Sequence, residues 1–85
     1  MSQTNAPPEI AATVDASGLL CPLPVYKAAL ALKTMQPGEV LRLVTTDPGA
    51  LADIPAMANQ RGDSIVSVEE EDGRQVFIIE RGDLP

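Results

Sequence analysis

One thiol is present in this 85-residue chain, Cys21, and it sits in the run Gly18-Leu19-Leu20-Cys21-Pro22-Leu23-Pro24. A thiolate is the nucleophilic form of cysteine, and a free thiol ionises with a pKa of about 8.5, so near neutral pH it needs stabilisation to react. The start of a helix is one source, because unpaired amides and the positive end of the helix dipole point outwards there. Proline is tolerated in a first helical turn, where its missing N–H is not needed. Pro22 and Pro24 therefore predict a helix beginning just after Cys21, with the sulfur near its N-cap and its pKa lowered. A lone cysteine can also be a small buried core residue, but the two prolines at a helix start weigh against that here.

Having one cysteine also limits the chemistry. A dithiol oxidoreductase needs a second, resolving cysteine, and no internal disulfide can form. With no histidine in the chain a zinc site is not expected, and nothing calls for another metal or a cofactor. What remains for Cys21 is single-thiol chemistry or a structural place.

The elements that must position this sulfur follow from periodicity and turn residues. Residues 1–9, with Asn5, Pro7 and Pro8, read as a disordered tail ahead of one domain over 10–82. Ile10 to Asp15 is a short first strand. Val25, Ala28, Ala29, Leu32 and Met35 recur at helical spacing, and Pro37-Gly38 ends that helix. Glu39 to Thr46 is a second strand, with Leu41 and Leu43 on one face and Arg42 on the other. Asp47-Pro48 resembles an N-cap followed by a first-turn proline, and Leu51, Ile54 and Ala58 continue the apolar stripe to Gly62. Pro55 inside that stripe is expected to kink or restart the helix near Asp53. Residues 64–70 and 75–81 are β-rich and joined through Asp72-Gly73, a hairpin signal.

The order β-α-β-α-β-β predicts an α+β two-layer sandwich, two helices on one face of a four-stranded mixed sheet. Met35 and Met57 then belong to the core, and the acidic run Glu69-Glu70-Glu71-Asp72 is a solvated turn.

Charge and length restrict the partners. Twelve acidic residues against six basic ones give a net charge of −6, which opposes direct binding to phosphate backbones. Tyr26 and Phe77 are the only aromatics, too few to build a stacking platform for single strands. No run approaches the roughly 20 apolar residues of a membrane span, and the first twelve residues lack a basic start and an apolar run. A free thiol suits a reducing compartment. A cytoplasmic monomer that meets other proteins, rather than nucleic acid or membrane, is expected.

The run Val14-Asp15-Ala16-Ser17-Gly18-Leu19-Leu20-Cys21-Pro22-Leu23-Pro24 resembles the signature of the TusA family of small sulfur-carrier proteins, also called SirA-like. The likeness continues through Met35-Gln36-Pro37-Gly38-Glu39, Thr46-Asp47-Pro48 and Asp53-Ile54-Pro55, and ends with Gly62 and the hairpin to Phe77-Ile78-Ile79. The resemblance implies a Cys21 that carries sulfur as a persulfide, framed by Gly18, Pro22 and Pro24. It also implies a donor such as a cysteine desulfurase or a rhodanese-like protein, and a downstream acceptor protein.

Asp15, Lys27, Asp47 and Asp53 are candidates for supporting the site or contacting a partner. Asp15 would organise the turn leading to Cys21, and Lys27 would add positive potential near the sulfur. Asp47 needs no role beyond its cap, and Lys27 none beyond that of a solvent-facing helix lysine. Family members often carry histidine after the glycine that closes the second helix. Asp63 stands there in this chain, an anion where a cation is possible, which is expected to alter a partner contact or the local field.

The resemblance leaves tRNA thiolation, molybdenum-cofactor synthesis and sulfur oxidation equally open as pathways. Two other readings stand beside the carrier. One is a non-enzymatic regulatory or interaction module with a structural cysteine, and the other is a thiol sensor oxidised at Cys21.

Overall fold

The computed structural model describes residues 9–83. All of the expected tail except Glu9 lies outside the described residues. Six elements follow in the order β1 (Ile10–Ala16), α1 (Leu23–Lys33), β2 (Val40–Thr45), α2 (Ala50–Arg61), β3 (Ser64–Glu71) and β4 (Arg74–Glu80). The strands form one mixed sheet in the order β1-β2-β4-β3. β1 runs parallel to β2, with Val14 opposite Leu43 and Ala16 opposite Thr45. β4 is antiparallel to β2 on one side and to β3 on the other. Asp72 and Gly73 both take positive φ, 54° and 77°, as a two-residue hairpin turn matched to the strand twist requires.

Both helices cover the same face, α1 over β1 and β2, and α2 over β3 and β4. The core lies between the layers. Ala28, Leu32 and Met35 from the first helical segment meet Ile54, Met57 and Ala58 of α2 above Leu41, Leu43, Phe77 and Ile79 of the sheet. Alternation along β2 puts Leu41 and Leu43 in this layer while Arg42 faces the other way. The architecture is the expected α+β sandwich.

The second helix departs from its sequence reading in three respects. Its first helical residue is Ala50 and its N-cap is Gly49, so Asp47 and Pro48 precede it in a turn closed by Ala50 N–H donating to Asp47 O at 2.9 Å. It runs unbroken through Pro55. The carbonyl deprived of a donor belongs to Leu51, an exposed residue, so solvent can satisfy it and the helix need not break. Leu51 is accordingly not a core position; Ala50 and Met57 fill that role beside Ile54 and Ala58.

The far end of α2 is tied to the C-terminal segment. Gly62 closes the helix at φ 82°. Asp63, buried, accepts from Arg61 Nε at 2.8 Å through Oδ2 and from Gly82 N at 2.8 Å through Oδ1. A β-carbon on Gly82 would fall 1.9 Å from Gly62 O, so only glycine fits this crossing. The Asp63 carboxylate therefore turns inwards, towards Arg61 and the Gly82 amide.

Candidate functional site

Parallel neighbouring strands release their following loops at the same sheet edge, which is where binding sites of open α/β sheets gather. Here the loop after β1 carries Ser17 to Pro22, and the loop after β2 carries Thr46 to Gly49 and leads into α2. Three hydrogen bonds tie the first loop to the second and to the first turn of α2. Gly18 N donates to Thr46 Oγ1 at 2.8 Å, Cys21 N donates to Asp47 Oδ2 at 2.8 Å, and the Cys21 thiol donates from Sγ to Asp53 Oδ2 at 2.8 Å. Asp47 Oδ1 also accepts from Gly49 N at 3.2 Å, so one carboxylate fixes both the cysteine backbone and the approach to α2. Asp53 reaches the sulfur because it lies in the first turn of that helix.

The loop itself is shaped by short-range bonds. Asp15 Oδ1 accepts from Ser17 N at 3.0 Å, an Asx turn, and this contact with Ser17 holds its carboxyl below the usual carboxylate range. Asp15 thus lies in the strand-to-loop turn as expected, without touching Cys21. Gly18 takes φ 79° with open space where a β-carbon would go; the left-handed backbone, not crowding, calls for glycine. Pro22 is the N-cap of α1, the Cys21–Pro22 peptide is cis, and Pro24 is buried in the first helical turn.

The electrostatics reverse the expectation for the thiol. Cys21 is exposed, yet its pKa is raised, first by the hydrogen bond to Asp53, then by partial desolvation and by repulsion from the carboxylates of Asp53 and Asp47. The first turn of α1 offers no counterweight. Leu23 N donates to Leu20 O at 2.9 Å, Val25 N and Tyr26 N both donate to Pro22 O at 3.0 and 3.2 Å, and Pro24 has no N–H. The amides that would stabilise a thiolate are engaged with carbonyls, and the sulfur faces two anions instead. The charge of Lys27 favours the ionised form of Asp15, after the larger effect of the Ser17 contact.

Thr46 opens the Thr46-Asp47-Pro48 block, and nothing local in the sequence marks it as a site residue. Its role depends on a loop 28 positions earlier in the chain, a pairing that becomes visible only once β1 and β2 are known to be parallel. Around the sulfur, Leu20 (71% exposed) and Leu23 (48%) stand in solvent, whereas Leu19 packs against the core.

Comparison with known proteins places this geometry. The family model for sulfurtransferase TusA matches residues 12–81. The chain belongs to the TusA family. It is 43% identical over 68 residues to the sulfur carrier protein TusA of Allochromatium vinosum, covering 80% of this chain and 90% of that one. It is 40% identical over 68 residues to a putative sulfur carrier protein of Neisseria meningitidis serogroup A, covering 80% and 92%. The crystal structure of a SirA-like protein from Desulfitobacterium hafniense superposes with a TM-score of 0.74 at 28% identity, over 85% of this chain and 99% of that one. Cys21, the one cysteine of the sequence, is exposed. Among the described residues no helix is long and apolar enough to cross a membrane.

Proposed function

We propose that Cys21 takes a sulfane sulfur from a donor protein as a persulfide and passes it to an acceptor protein. The observation that carries this reading is an exposed single thiol held from two sides, its backbone by Asp47 and its proton by Asp53. In loading, Cys21 Sγ loses its proton and attacks the terminal sulfur of the donor's Cys–S–SH. The donor's S–S bond breaks, its electron pair leaves with the inner sulfur, and that sulfur takes up a proton. The products are Cys21–S–SH and the donor thiol, with no net oxidation and no cofactor. Unloading repeats the exchange with the acceptor as nucleophile.

In the resting carrier Asp53 keeps the sulfur protonated, which limits its reaction with small electrophiles. A partner activates it by bringing positive charge to the site or by drawing Asp53 away. Gly18, Pro22 and Pro24 frame the loop, and Asp15 sets its turn. Lys27 is free to meet the partner rather than the sulfur. A cysteine desulfurase or a rhodanese-like protein is the donor class, and the working unit is the domain over 10–82, acting as a monomer.

Intact-mass measurement after incubation with cysteine and a cysteine desulfurase tests the proposal. The carrier gains one sulfur atom that reductant removes. No gain, with partner binding intact in Cys21→Ala, would favour an interaction module, and stable oxygen adducts under mild peroxide would favour a sensor.

A further inference from the structure

Two buried polar side chains lie beside the loop that follows β2. Thr45 and Gln75 stand opposite each other on β2 and β4, and they are 0% and 5% exposed. Gln75 shares its face of β4 with Phe77 and Ile79, so its amide turns towards the layer between sheet and helices. An amide withdrawn from water costs free energy unless its polar atoms are engaged. The partners of this one therefore say what it does.

One orientation of the amide satisfies its surroundings. Gln75 Nε2 then lies 2.7 Å from Thr45 Oγ1 and 3.2 Å from both Thr45 O and Asp47 O. In the opposite orientation Thr45 Oγ1 donates to Gln75 Oε1 across the same 2.7 Å. The amide oxygen would then also meet two carbonyl oxygens that have no hydrogen to give it.

The two carbonyls bracket Thr46, and this short stretch presents both acceptors that hold the backbone of the cysteine loop. Thr46 Oγ1 takes Gly18 N and Asp47 Oδ2 takes Cys21 N, each at 2.8 Å. Asp47 O also accepts from Ala50 N at 2.9 Å, which ties the same peptide to the start of the helix that carries Asp53. β2 ends at Thr45, so the sheet ladder does not hold Thr46 and Asp47. A hydrophobic residue at position 75 would pack as Phe77 and Ile79 do, but it would give this turn no donor.

We propose that Gln75 is a positioning residue for the sulfur site: it holds the turn over 45–47 and, through the Asp47 carboxylate, fixes Cys21 against Asp53. It acts through Asp47, with no hydrogen bond of its own to Cys21 or Asp53 among the described residues. This inference rests on the carrier reading above for its purpose, and adds a residue of β4 to the site.

The test compares wild type, Gln75→Leu and Thr45→Val by the pH dependence of Cys21 alkylation with iodoacetamide, where circular dichroism shows each protein folded. Loading of sulfur from glutathione persulfide is followed alongside by intact mass. Gln75→Leu removes both amide hydrogens, so the contact between Cys21 and Asp53 loosens. The alkylation midpoint moves downwards, and the rate near neutral pH rises about threefold. Thr45→Val removes one of three acceptors and leaves both hydrogens of Nε2 for the carbonyls. Its midpoint stays at the wild-type value, whatever the buried hydroxyl contributed to stability. In Asp53→Asn, adding Gln75→Leu has little further effect, because the charge whose distance Gln75 sets is gone. If Gln75→Leu does not fold, Gln75→Met, unbranched like glutamine, makes the same comparison.

A Gln75→Leu midpoint equal to wild type would overturn the positioning role. A shift of equal size in Thr45→Val, or an undiminished one in Asp53→Asn, would overturn it too, and in each case loading of wild type leaves the carrier intact. Failure of wild type to gain sulfur, with the Gln75→Leu midpoint lowered, would instead overturn the carrier reading and leave the positioning of the thiol standing.

Discussion

Cys21 gives its thiol hydrogen to Asp53 across 2.8 Å, although the two residues lie 32 positions apart in the chain. The loop after β1 and the first turn of α2 reach the same sheet edge because β1 and β2 run parallel. Having the nucleophile and a carboxylate within hydrogen-bond distance stabilises the thiol rather than the thiolate. In the free protein the site therefore favours Cys21 as the thiol.

Removing the charge of Asp53 should release the thiol. In Asp53→Asn the main cause of the raised pKa is gone, so the midpoint of the Cys21 alkylation rate against pH shifts downwards towards the free-cysteine value of about 8.5. At neutral pH the variant reacts faster with iodoacetamide than wild type. The sign is fixed by the physics: wild-type Cys21 stays protonated to higher pH because two anions oppose its ionisation. An equal or slower rate in the variant would show that Asp53 does not control the sulfur.

Asp47 is expected to matter to both stability and transfer. Asp47→Ala leaves Cys21 N and Gly49 N without their acceptor, and bonds of this charge-assisted type contribute about 1.5–3 kcal/mol each at most, less where water can replace them. The half-exposed position puts the expected loss at about 1–2 kcal/mol in urea titration, with sulfur loading reduced as the Cys21 loop loosens. Unaltered loading would remove Asp47 from the site.

Placing at position 63 the histidine that the sequence resemblance suggests should cost stability but leave the sulfur alone. In Asp63→His one ring nitrogen can accept at most a single hydrogen bond, whereas Asp63 accepts from both Arg61 and Gly82. Both donors are part-buried, so the one left unpaired costs about 1 kcal/mol, the lower end of the range for a buried group, which denaturant unfolding detects, while loading from glutathione persulfide is unchanged. A variant as stable as wild type would mean that Asp63 is not needed to anchor the C-terminal segment.

The fold was legible in the sequence because its cues are local. Asp72-Gly73 specifies the hairpin, alternation over Leu41-Arg42-Leu43 specifies the buried face of β2, and helical spacing specifies Ala28 and Leu32 as core. The site was only half legible, because its decisive bonds are not local. Asp47 looks like a helix cap when read beside Pro48, yet one of its oxygens serves Cys21 and the helix starts later.

The position of Cys21 before a proline-led helix suggested an activated thiolate. That inference fails first because the thiol donates to Asp53 and faces the charges of Asp53 and Asp47, and Leu20 O and Pro22 O engage the first-turn amides that could have opposed them. Pro55 misled for a related reason: its penalty depends on whether solvent reaches one carbonyl, which no propensity records. Asp53 and Lys27 could be named as candidates, but only the parallel pairing of β1 and β2 decides which of them meets the sulfur.

The central claim, that Cys21 itself carries sulfane sulfur between proteins, is tested most directly by tracing the atom. The protein is charged by a cysteine desulfurase supplied with ³⁵S-labelled cysteine, separated from the donor, and treated with cyanide, which removes sulfane sulfur from a persulfide as thiocyanate and leaves the thiol. The account predicts label bound to the wild-type chain in no more than equimolar amount, released completely as thiocyanate, and absent from Cys21→Ala. Label retained by Cys21→Ala, or label on wild type that cyanide does not release, would contradict it.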